Sequence, residues 1–128
     1  MPHFEKHFTV EEANALLPEL RTLLQEIKEA RDHLVVDSEA AMPVLRMAEM
    51  NGGGKEGNAY LSSLQQLNAR LQAVAELGVQ VKEVDRGLVD FPAWRDGREV
   101  FLCWHLGEET VDYWHELEAG YRGRQPIG

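Results

Sequence analysis

Asp96-Gly97 lies between two runs of β-forming residues, and no other pair constrains the fold as strongly. Asp-Gly supplies the two positive φ angles of a type I′ turn, the two-residue connection that joins antiparallel strands without splaying them. The turn sets the register. With Arg95 opposite Arg98, Ala93 faces Val100, Phe91 faces Leu102 and Val89 faces Trp104, all on one apolar side of the ribbon. On the other side Trp94 meets Glu99, Pro92 meets Phe101, Asp90 meets Cys103 and Leu88 meets His105. A carboxylate, a thiol and an imidazole thus gather on the mixed side.

Around this hairpin the expected sheet is small. Val79 and Val81 alternate with polar residues up to Val84, Asp85-Arg86-Gly87 reads as a turn, and Gly107 ends the last strand, which predicts a three-stranded antiparallel meander. Residues 108–119 read as a short helix with Glu108 and Glu109 at its positive end, Val111, Trp114 and Leu117 on its buried side, and Glu108, Asp112 and His115 along a neighbouring stripe. The tail from Gly120 reads as an irregular strap.

The first half of the chain is helical in pattern. Thr9 and Glu12 have the form of a capping box, so a helix should begin near Val10. Apolar residues recur at helical spacing from Ala13 to Leu34, with Pro18 predicting either a kink or a short helix abutting a long one. The pattern weakens from Val35 to Met50, where Pro43 should break or bend the helix, and the glycine-rich stretch Asn51–Asn58 reads as a mobile loop. It lacks the preceding strand and the Gly-Lys-Ser/Thr ending of a phosphate-binding loop. A second helix follows from about Ala59 to Leu77, ended by Gly78. The fold class is therefore α+β: a single domain of residues 1–128, with a long, kinked helical hairpin (9–77) packed on a three-stranded meander with a short C-terminal helix and irregular tail (79–127).

Charge narrows the partners. Thirteen basic against 22 acidic residues give a net charge of −9, which opposes attraction to nucleic-acid phosphates and to anionic membranes. No apolar run approaches the roughly 20 residues of a membrane span, and the start MPHFEKHFTV lacks the core of a secretory signal, which implies a cytoplasmic protein. One cysteine allows no internal disulfide, in keeping with a reducing compartment.

Three blocks, FTVEEANALLPEL (Phe8–Leu20), DRGLVDFPAWRDGREVFLCWHLGEE (Asp85–Glu109) and YWHELEAGYRGRQPI (Tyr113–Ile127), resemble an uncharacterised prokaryotic family, domain of unknown function 2203. The resemblance implies a bacterial protein, and implies that Asp85, Gly87, Asp90, Phe91, Pro92, Arg95, Gly97, Cys103, Trp104, Glu108, Trp114, His115, Gly120 and Arg124 belong to the family pattern, with His105 and Asp112 outside it. It brings no activity, ligand or partner.

Two candidate sites emerge from the residues. Asp90, Cys103, Glu108 and His115 offer the oxygen, sulfur and nitrogen ligands that suit zinc or iron, provided the helix after the hairpin carries Glu108 and His115 to the mixed side of the sheet. The same residues also fit a packing role, with His115 bonded to a carboxylate, Cys103 a small buried residue, and Glu108 paired with Arg122 or Arg124. Cys103 is a poor candidate nucleophile, because a neighbouring Asp90 opposes thiolate formation. Arg95, Arg98, Arg122 and Arg124 would grip a small carboxylate or phosphate if the hairpin tip and the tail met, against internal pairing with nearby acids. His3 and His7 would sit together only in a helix, and disorder is expected there instead.

Helix lengths add a third element. At 1.5 Å per residue a helix from Pro18 to Met50 is about 50 Å long and its partner just under 30 Å, leaving apolar surface for another copy of the chain. An oligomeric binding or scaffold module, self-associating through the helical hairpin, is the expected function. A metal-binding, hydrolase-like enzyme using Asp90, Cys103, Glu108 and His115 is the alternative.

Overall fold

The computed structural model describes residues 2–46 and 55–128. The capping box forms as expected: the Glu12 amide donates to the Thr9 hydroxyl at 3.0 Å and the Thr9 amide to the Glu12 carboxylate at 2.9 Å, starting helix α1, Val10–Ala15. Leu16 ends it, and α2 runs from Leu17 to Arg46, so Pro18 falls in the first turn of a new helix, where its missing N–H costs nothing. Of the two outcomes foreseen for Pro18, the short helix abutting a long one is the one found. Pro43 does not break the chain's path, because α2 continues through it.

Helix α3, Lys55–Glu76, begins earlier than its apolar pattern suggests, so Lys55–Asn58 form a helical turn and not part of a loop. The rest of the expected glycine loop, 51–54, lies outside the described residues, as do Met47 and Met50. Gly78 follows the helix at φ 88°, a conformation that favours glycine.

The sheet has five strands where three were expected. They run in chain order: β1 Gln80–Glu83, β2 Leu88–Arg95, β3 Arg98–Trp104, β4 Tyr113–Glu116 and β5 Gln125–Pro126, each antiparallel to the next. The turn between β2 and β3 has Asp96 at φ 51° and Gly97 at φ 81°, and the seven β2–β3 partners from Val89–Trp104 to Arg95–Arg98 are those the Asp-Gly turn dictates.

The expected C-terminal helix is absent; β4 and a turn occupy its place. Tertiary bonds occupy the backbone there. The Val111 amide donates to Asn14 Oδ1 at 2.7 Å, the Trp104 indole donates to the Glu108 carbonyl at 2.9 Å, and β3 offers β4 an edge to pair with. Non-local pairing overrides a helical pattern of three apolar residues. The tail is more regular than a strap, with a 3-10 turn at Tyr121–Gly123 and β5 pairing on β4.

The sheet's two faces differ as the alternation predicts. Val89, Phe91, Ala93, Val100, Leu102, Trp104 and Trp114 share the core with Leu17, Leu20, Leu24 and Ile27 of α2 and Val74 of α3. The helical hairpin therefore covers one face only, and burial on α2 fades beyond Ala30: Val35, Val36 and Met42, with Leu61 on α3, are exposed. The opposite face carries Asp90, Phe101, Cys103, Tyr113 and His115. Phe8 marks where the N-terminal segment joins the sheet, donating its amide to the Pro92 carbonyl at 2.7 Å.

Candidate metal centre on the mixed face of the sheet

Antiparallel pairing alone builds the site. Asp90 on β2 is the direct partner of Cys103 on β3, and β4 places Tyr113 beside Cys103 and His115 beside Phe101. Side chains of paired residues lie on one face, so Asp90, Cys103 and His115 converge from three adjacent strands. One ligating atom from each lies within 4.8 Å of the other two, and all three residues are buried. His115 thus reaches the site from a strand, not from the helix expected to carry it.

The imidazole is held at both nitrogens. Nδ1 donates to the Glu116 carbonyl at 2.7 Å, and Nε2 points between the two oxygens of Asp90, each at 3.0 Å. Burial works to lower the His115 pKa. The hydrogen bonds with Asp90, Cys103 and the Glu116 carbonyl outweigh it and push the pKa up to about 10. Without a metal, the ring is an imidazolium clasped by a carboxylate, inside a sheet.

Glu108, the fourth candidate ligand, is not brought into this group. Its carboxylate accepts from the His105 amide at 3.0 Å and pairs with Arg124. This is the Glu108–Arg124 pairing that a packing role requires. Arg124 in turn lies 3.7 Å above the Tyr113 ring and 4.7 Å from that of Tyr121. Among the described residues its Nη1 is buried with no hydrogen-bond partner, so the aromatic face of Tyr113 is what it has in exchange.

Of the four arginines considered for an anion, Arg95 and Arg124 are not brought together. Arg95 stacks on Trp114 at 4.6 Å, on the core side, whereas Arg124 stacks on Tyr113, the neighbour whose side chain points the other way. Arg98 is paired with Glu116.

The histidines near the N-terminus are ordered without any helix, contrary to expectation. Glu99 accepts from the His3 amide at 2.7 Å, His3 Nδ1 at 2.9 Å, the Phe4 amide at 3.1 Å and His7 Nε2 at 2.7 Å. His7 also stacks on Trp94 with ring centres 4.4 Å apart. Sequence reasoning missed this cluster. The one local signal was Glu99 itself, a carboxylate opposite Trp94 at the rim of the mixed face.

Among the described residues no helix is long and apolar enough to cross a membrane. No curated protein matches the chain, and no solved structure does. The family comparison does find a match, and it spans all of the secondary structure described above. Over residues 6–127 the chain matches the model of an uncharacterized conserved protein family, DUF2203, and it belongs to that family.

Proposed function

We propose that this chain is a metal-binding module in which Asp90, Cys103 and His115 hold one divalent ion of the zinc or ferrous class. The observation that carries the reading is the convergence of a carboxylate, a thiol and an imidazole from three strands, with ligating atoms within 4.8 Å of one another. Nitrogen, sulfur and oxygen together suit a borderline ion better than magnesium or calcium, which favour all-oxygen shells. The outer partner supports it. A ligating histidine usually donates its other ring N–H to a carbonyl or carboxylate, and His115 Nδ1 does so to the Glu116 carbonyl, leaving Nε2 directed at Asp90.

The competing account is a bare ion pair. Buried pairs of this kind contribute little net stability against apolar packing, and they leave the thiol only a hydrogen bond with the imidazole. The test is metal analysis of protein purified without chelator, followed by thermal unfolding with added zinc. One equivalent of metal, or a rise in Tm that Cys103→Ser abolishes, is expected. No stoichiometric metal and an unmoved Tm would reduce the cluster to an ion pair.

A second reading, self-association through the helical hairpin, is favoured by a different observation. Val35, Val36, Met42 and Leu61 are about half exposed or more on the distal part of α2 and α3, beyond the reach of the sheet. Sedimentation at micromolar concentration should show a dimer that Val36→Lys dissociates without loss of helicity. A wild-type monomer would remove this reading.

A further inference from the structure

The mixed face of the sheet is closed by two covers of different construction. On one side Arg124 is clamped between Glu108 and the rings of Tyr113 and Tyr121, and the Glu108 segment is itself tied back to Trp104 and His105. On the other side lies the N-terminal segment. Phe4 packs on Phe101 with ring centres 5.3 Å apart, and Phe101 packs on His115 at 5.5 Å. The segment thus presses, through a single aromatic ring, on one of the three ligands.

Besides the stacking of His7 on Trp94 and the packing of Phe4 on Phe101, the contacts that hold that segment down are polar and concentrated at one residue. Phe8 is buried and anchored edge-on to Phe91, but from His3 to His7 the polar attachments to the sheet all end on the Glu99 carboxylate. Open clefts of about 400 and 430 Å³ flank the segment, one beside His3 and Trp94 and the other beside Phe4, Gln80 and Pro92. None of the three ligands lines either cleft, so the closed state gives an ion no route in through them. A segment bordered by solvent on both sides and latched through one carboxylate opens at far lower free energy than the sheet unfolds.

We propose that residues 2–7 are a hinged cover over the Asp90–Cys103–His115 centre, latched by Glu99 and pivoting at Phe8, and that its opening governs entry and exit of the ion. The function assigned to the cover rests on the metal reading above, whereas the motion itself does not. With Phe4 lifted, Phe101, whose ring still has Lys82 Nζ 4.9 Å from its centre, can rotate away from His115 and open the centre, Cys103 included, to reagents.

Two measurements test this separately. In metal-free protein, the reaction of Cys103 with a chromogenic disulfide reagent should accelerate at least tenfold in Glu99→Gln and in Phe4→Ala, relative to wild type. The acceleration must exceed what each variant's global stability, from urea unfolding, would give. Gly97→Ala, which destabilises the hairpin without touching the cover, provides that baseline. In zinc-loaded protein the same two variants should release metal to a chelating dye faster by a similar factor, with equilibrium affinity within about threefold of wild type. Thiol reactivity that merely follows global stability overturns the cover. If the thiol is unmasked but zinc never binds, the metal reading fails and the cover stands; if zinc binds and neither rate moves, the cover fails alone.

Discussion

The sharpest test of the buried cluster uses pH and no metal at all. His115 has its pKa pushed up to about 10 in the folded protein against 6.5 for a free side chain. Between those values the folded state keeps a proton that the unfolded state has lost, so stability falls as pH rises, and its full contribution is present only below 6.5. The slope is about 1.36 kcal/mol per pH unit, or roughly 4 kcal/mol between pH 6.5 and 9.5. Asp90→Asn removes the cause. The side-chain amide of that variant can donate to a neutral Nε2 while Nδ1 still donates to Glu116, so the imidazole has no reason to hold a second proton. At pH 6.5 the variant should be less stable than wild type by a few kcal/mol, on the order expected when a buried ion pair loses one charge. By pH 9.5 that difference should nearly close. Urea unfolding followed by tryptophan fluorescence, with chelator present, measures both curves, and other groups that titrate in this range cancel between the two proteins. Parallel curves for wild type and Asp90→Asn would refute the assignment of an imidazolium at His115.

Two further outcomes follow from local geometry. Gly87 and Gly97 both have positive φ, at 61° and 81°, but a Cβ at Gly87 would meet Leu106 Cγ at 2.5 Å whereas one at Gly97 meets nothing within 4 Å. Gly97→Ala should therefore cost only the backbone strain of about 1–2 kcal/mol, and Gly87→Ala clearly more; equal losses in urea unfolding would show that Leu106 yields freely. Glu99 is desolvated, which raises its pKa, yet the bonds from His3, His7 and Phe4 prevail and hold it down to about 2. Its contribution is present above about pH 4.5 and disappears as pH falls toward 2, so Glu99→Gln should flatten acid unfolding in that window, and an unchanged acid limb would contradict the latch.

The contrast between what could and could not be foreseen in the sequence has a physical basis. The β2–β3 register was legible because an Asp-Gly turn leaves almost no freedom, and Asp90 opposite Cys103 follows from it by counting. The N-terminus of α1 was legible for the same reason, since Thr9 and Glu12 interact within one turn. The segment 108–119 was not, because Val111, Trp114 and Leu117 fit a helical period while Trp114 and His115 equally fit a strand that faces two ways. What decides between them lies far off in the chain, in Asn14 and in the free edge of β3. The Glu99 latch was hidden for a related reason: its partners are 92 to 96 residues away, in a segment with no periodicity to read.

That His115 still arrives beside Asp90 is a consequence of topology. In a meander, each added strand lays its alternate residues on the same two faces, so any residue of β4 whose side chain points away from the helices must meet the β3 residues that do likewise. The apolar side of the hairpin is claimed by α2 and α3, which sends the polar groups of the central strands to the opposite side. A polar cluster on that face was therefore implied by the hairpin's two-sided pattern. The strand or helix that completes it decides which ligands belong: a strand admits His115 and leaves Glu108 to Arg124, whereas a helix beginning at Glu108 was expected to deliver both. The secondary structure of this one segment thus decides which side chains the proposed centre gathers, Asp90, Cys103 and His115 without Glu108; metal analysis of Glu108→Gln should therefore show binding retained, and that of Cys103→Ser binding lost.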